Sequence, residues 1–115
     1  MYQFSYAEVV DDACSDSRGR ERRAVERGVE LLRKAQASGV NSRDTIEALH
    51  YVRNLWSILM EDLAQKENDL PDALRADLIS IGIWVLRETE QIRQHRTDDF
   101  QNLIEINSMI CEGLK

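Results

Sequence analysis

The chain has 115 residues, 43% of them hydrophobic and 31% charged, enough to build one domain with a modest core and a soluble surface. Five glycines and one proline are too few for the many tight turns of a β-sandwich or barrel, so the composition points to helices. A net charge of −6 repels phosphate at long range and argues against nucleic acid as a general partner.

Residues 1–16 differ in character from the rest. Met1 to Glu8 lacks a basic region followed by an apolar run, so it does not read as a secretion signal. Tyr2, Phe4 and Tyr6 supply three of the seven aromatic side chains. Ser5 and Glu8 have capping-box spacing, which predicts a short helical turn through Val9 and Val10. An exposed segment this apolar would be sticky, so it is expected to dock on the body of the protein or on a partner.

From about residue 17 the apolar residues recur at helical spacing. A first helix is expected from about Ser17 to Ser38, with Val25, Val29, Leu32 and Ala35 on one face and Gly39 as its stop. A second starts after Asn41 or Ser42, either of which can cap it, and carries the seam Leu49, Val52, Trp56, Leu59 and Leu63. The third begins at Pro71, a residue suited to the first helical position, and runs to about His95 on the seam Leu74, Leu78, Ile81, Val85 and Ile92. Thr97 or Asp98 caps a fourth, with Asp98 and Gln101 spaced as a capping box; it buries Phe100, Leu103, Ile104, Met109 or Ile110, and Leu114. Short connections make neighbouring helices antiparallel. The expected fold is all-α: an up-and-down four-helix bundle over residues 17–115, with the aromatic segment 1–16 docked on it.

Catalytic chemistry finds no foothold. His50 lies three residues after Glu47, half of a di-iron Glu-x-x-His pattern, but the second copy is missing and His95 has no glutamate three residues before it. Cys14 and Cys111 form no CxxC and have no histidine nearby to activate them. There is no glycine-rich phosphate loop, GxSxG elbow or HExxH. The expectation is a protein with no catalytic residues, no metal and no cofactor. The longest apolar stretch, Leu78 to Leu86, is interrupted by Ser80 and Gly82 and is about half the ~20 residues a bilayer requires. No membrane contact is expected, and a cytoplasmic location with reduced thiols fits the two unpaired cysteines.

Two anomalies remain. Between Arg18 and Lys34 seven basic side chains face three acidic ones, a balance of +4 that leaves −10 for the rest. Arg18, Arg20, Arg22 and Arg23 would crowd the N-terminus of a helix starting at Ser17, against its macrodipole. They are expected to pair with acidic residues of the body such as Glu61, Asp62, Asp69 or Asp72, to sit on a frayed first turn, or to contact an acidic partner or RNA. The second anomaly is surplus apolar surface. Ile79, Ile83 and Leu86 form a second stripe beside the seam of the third helix, and Tyr51, Leu55 and Ile58 lie outside that of the second. Both helices could be central and covered by the first, the fourth and the N-terminal segment. Otherwise the surplus walls a groove for an amphipathic partner helix, with Leu55, Ile58, Ile79, Ile83 and Leu86 as candidate binding residues. Gly82, a helix-weakening residue, would allow a close backbone approach there.

The opening Tyr2-Gln3-Phe4-Ser5-Tyr6-Ala7-Glu8-Val9-Val10, the run Val52-Arg53-Asn54-Leu55-Trp56-Ser57-Ile58-Leu59, the connector Glu67-Asn68-Asp69-Leu70-Pro71 and the stretch Leu78-Ile79-Ser80-Ile81-Gly82-Ile83-Trp84 together resemble the FlaF family of flagellar biosynthesis regulators of alphaproteobacteria. The resemblance implies a cytoplasmic, non-enzymatic protein needed for flagellin synthesis or secretion, acting as a flagellin chaperone coordinated with or opposed to a second regulator, FlbT. By analogy with a helical flagellin chaperone of other bacteria, Tyr2, Phe4 and Tyr6 are candidates for a plug that flagellin displaces from the groove. An alternative is a regulatory module acting through FlbT or flagellin mRNA by way of the Arg18–Arg23 cluster. A third reading is a homodimer that buries the surplus stripe against its own copy.

Overall fold

The computed structural model describes residues 6–113, with side chains from Gly19 onward. Four helices follow one another: α1 (Tyr6–Ser38), α2 (Arg43–Leu63), α3 (Asp72–Arg93) and α4 (Gln101–Gly113). The all-α bundle is as expected, but α1 starts 11 residues earlier than Ser17 and runs for 33 residues across the boundary drawn at residue 16. The reason is local. No proline and no glycine lies between Tyr6 and Arg18, and a lone Gly19 costs a helix only about 1 kcal/mol. Nothing stops the helix once it has begun. Tyr2, Phe4 and Leu114 lie outside the described residues, as do the side chains of Tyr6 and Arg18, and with them the plug.

The ends of the helices show which turn residues decide. Gly39 closes α1 at φ +100°, and its N–H donates to Ala35 O at 2.8 Å. Of the two candidate caps for α2, Ser42 is the one used: its Oγ accepts from Thr45 N at 3.2 Å. Pro71 is the N-cap of α3, one residue before the position expected for it. At α4 it is Asp99 rather than Asp98 that meets the free N–H groups, accepting from Gln101 N at 3.0 Å, while Thr97 Oγ1 accepts from Asp99 N.

The core gathers the expected seam of α1 (Val25, Val29, Leu32, Ala35) with Leu49, Val52 and Trp56 of α2, Val85 and Ile92 of α3, Phe100 just before α4, and Leu103 and Ile104 of α4. Asn107 is buried among them. Its Oδ1 accepts from Trp56 Nε1 at 2.8 Å and its Nδ2 donates to Leu103 O at 2.7 Å, so this polar side chain, which ties α4 to α2 in the interior, is satisfied on both sides.

Close packing pairs α1 with α2, α1 with α4, and α2 with α3. The middle of the bundle is therefore α1 and α2, whereas α2 and α3 had been the expected central pair. This leaves part of the α3 seam uncovered: Val85 and Ile92 are fully buried, Leu78 and Ile81 are half-buried, and Leu74 is 44% exposed. The packing explains it: among the described residues α3 packs closely on α2 alone, while α4 packs on α1, so one helix face has to cover the whole α3 seam. Within α4, Ile110 turns inward and Met109 outward.

Candidate functional site

α2 presents two flanks, each taken by a different neighbour. On one, Tyr51 Oη donates to Ala24 O of α1 at 2.8 Å. Burial raises the Tyr51 phenol above its ordinary pKa, opposed in part by the Arg27 charge. On the other flank, Arg53 Nη1 donates to Leu86 O and Thr89 Oγ1 of α3, both at 3.3 Å. Met60 and Trp56 press on Gly82 there: a Cβ at that position would stand 2.6 Å from Met60 Sδ and 3.2 Å from Trp56 Cε3. The close approach that Gly82 permits is thus used by α2 of the same chain.

This order of helices separates the five residues expected to wall one groove. Leu55 and Ile58 fall on the α1 flank of α2, where they line a depression of ≈ 630 Å³ together with Leu31 and Tyr51. Leu31 forms the floor at 4% exposure, Leu55 and Tyr51 are half-buried, and Ile58 stands at the rim, 64% exposed. Arg27 and Glu47 edge the depression, one of each sign. None of Ile79, Ile83 and Leu86 reaches it. On α3, Leu86 packs against the core, Ile79 is half-buried and Ile83 is 46% exposed. The surplus apolar surface exists, then, as two patches instead of one groove. Leu31 was missed from the sequence; it sits next to the seam residue Leu32, and the run Gly28, Leu31, Leu32, Ala35, all buried, was the available sign that α1 carries a stripe wide enough to reach a second face.

The sequence profile of the family described as flagellar protein FlaF matches residues 2–114. This chain belongs to the FlaF family. It is therefore a flagellar protein. Neither the curated proteins nor the solved structures contain a match to it.

The early start of α1 removes the conflict between the FlaF arginine cluster and the helix dipole. Arg20, Arg22 and Arg23 sit more than three turns inside α1, where the end charge of the helix no longer acts. Consecutive residues turn by about 100° around a helix, so the three do not share a face. Arg22 pairs with Glu26 one turn on, at 3.7 Å, and not with Glu61, Asp62, Asp69 or Asp72. Asp72 holds Arg75 at 2.9 Å instead, and Asp62 accepts from Asn68. Arg20 and Arg23 are exposed. The Cys111 thiol is pushed up by burial and by the nearby Glu26 carboxylate. Among the described residues no three His, Cys, Asp or Glu side chains are grouped so as to hold a metal ion, and no helix is long and apolar enough to cross a membrane.

Proposed function

We propose that this protein is a cytoplasmic flagellin-binding chaperone or regulator with no catalytic chemistry of its own, and that the depression between α1 and α2 receives an amphipathic helix of flagellin. The observation that carries the reading is Ile58. A large aliphatic side chain at 64% exposure, beside half-buried Leu55 and Tyr51 and above the buried Leu31, is a patch left apolar where the monomer gains nothing from it. An incoming helix would bury its apolar face there, each large side chain being worth about 1.5–3 kcal/mol before ordering costs are subtracted. Arg27 and Glu47 at the edges suit the polar borders of such a helix. Occupying the apolar face of a flagellin segment would keep it from assembling early.

Co-purification of flagellin with wild type, Ile58→Glu and Ile83→Glu tests this. Both positions are exposed, so both variants should fold. Capture lost in Ile58→Glu and kept in Ile83→Glu supports the groove; the reverse result moves the contact to α3 and refutes it.

A further inference from the structure

A second depression, of ≈ 380 Å³, opens at the N-terminal end of α2 on the flank that faces α3. Its floor is aliphatic, with Leu49 and Ile92 buried beneath and Ile46 at the rim, 70% exposed. Its charged edge is of one sign only: Arg53 and Arg93 line it together with His50 and His95, and no acidic side chain does. That is unusual in a chain of net charge −6.

The walls are held in place. In the α1–α2 connection Gly39 O accepts from Ser42 Oγ at 2.6 Å and from Thr45 Oγ1 at 2.7 Å, which fixes the loop beside the depression. The two guanidinium groups share a single carboxylate just outside it. Arg93 Nε donates to Glu90 Oε1 at 2.7 Å, and Arg53 Nη1 stands 3.6 Å from the same oxygen. Arg53 uses only Nη1 in these contacts; among the described residues its Nε and Nη2 have no hydrogen-bond partner. One neutralised and one under-used cation therefore edge an aliphatic floor.

His95 adds an independent sign. It occupies the left-handed region at φ 59°, directly after the α3 C-cap, where its N–H donates to Ile92 O and Arg96 N–H donates to Gln91 O. Glycine is the usual residue at that point of a helix end, because a Cβ is strained there. The strained backbone fixes where this histidine stands, and its side chain lines the depression, where the ring is available for contact.

We propose that this depression binds an acidic peptide segment of a partner protein. A carboxylate would pair with the free edge of the Arg53 guanidinium, and a branched aliphatic neighbour would rest on Ile46 and Leu49. The absence of any Phe, Tyr or Trp from the lining, and thus of a platform on which a base could stack, favours peptide over nucleic acid. The site borders the proposed flagellin groove at His50, which lines both, but its aliphatic floor and its two arginines belong to it alone, and it does not depend on that reading.

The test is fluorescence anisotropy with a labelled peptide, Gly-Ser-Glu-Leu-Asp-Ile-Gly-Ser, against its Gln/Asn counterpart and against labelled oligouridylate. The acidic peptide is expected to bind wild type about tenfold or more tightly than the amide peptide, and to lose about tenfold in Arg53→Gln. Because Arg53 also touches α3, two further variants separate binding from folding. Ile46→Ser alters an exposed side chain and should weaken binding at unchanged melting temperature. His95→Gly should weaken binding while melting at the same or a higher temperature, whereas a purely structural histidine would leave binding untouched. No binding of the acidic peptide, equal binding of the amide peptide, tighter binding of oligouridylate, or full affinity in Ile46→Ser and His95→Gly would each overturn the proposal.

Discussion

Asn107→Ala is the substitution whose cost can be worked out most fully from the fold. Asn107 is 1% exposed and Trp56 is 1% exposed, so water cannot replace the 2.8 Å bond between them. Removing the amide leaves the indole N–H without a partner, at about 1–3 kcal/mol, and the lost side-chain volume adds a cavity term. Alanine returns about half a kcal/mol of helix propensity. The net loss is about 2–3 kcal/mol, which in a chain of 115 residues corresponds to a fall in Tm of about 8–12 °C. Replacing both partners, as in Trp56→Phe with Asn107→Leu, removes the unpaired group as well as the bond and should recover much of that loss. Thermal unfolding followed by circular dichroism measures all of this. An Asn107→Ala protein that melts within 1 or 2 °C of wild type, or a double variant as unstable as the sum of Trp56→Phe and Asn107→Leu, would refute the view that the pair is a buried link worth its full desolvation cost.

Three further outcomes follow from the packing and the charges. The Arg93 guanidinium, helped by Gln94 and Arg53, holds the Glu90 carboxyl at about 2, against 4.5 for an ordinary glutamate. A depressed carboxyl stabilises the fold above the unfolded pKa and loses that contribution as pH falls through the folded one. The Tm difference between wild type and Glu90→Gln should therefore be full at pH 7, shrink from about pH 4.5 downward and be gone near pH 2. Carboxyl NMR should place the Glu90 midpoint near 2, and a midpoint near 4 would contradict the pairing. Gly82→Ala drives a Cβ into Met60, an overpacking cost of about 1–3 kcal/mol set against about 1 kcal/mol gained in helix propensity, so Tm should fall. Met60→Ala should relieve that clash, which makes the double variant more stable than the two single effects predict by addition; strict additivity would place the contact elsewhere.

The parts of the fold that were legible in the sequence are those fixed by neighbours along the chain. Val25, Val29, Leu32 and Ala35 read as a buried seam because helical periodicity is local, and Gly39 read as a stop because it can adopt positive φ. What depended on distant elements was not legible. Leu74 and Leu78 have the same periodicity as Val85 and Ile92, yet Leu74 is exposed and Leu78 only half-buried, because α3 packs closely on α2 alone. Asn107 reads as a surface residue until Trp56 is placed opposite it. The surplus apolar character of Leu55, Ile58, Ile79, Ile83 and Leu86 was visible, but their division between two flanks of α2 is decided by where α1 and α3 dock. The dipole conflict at Arg20, Arg22 and Arg23 came from placing the start of α1 too late.

Calorimetric titration of flagellin into the purified protein, repeated at several temperatures, addresses the apolar surplus most directly. Burying the patch around Leu55 and Ile58 under a partner helix should give one flagellin per chain, a clearly negative heat-capacity change, and affinity that varies little with salt. Absence of binding, or binding with a heat-capacity change near zero that disappears as salt is raised, would mean that charge and not the exposed aliphatic face makes the contact.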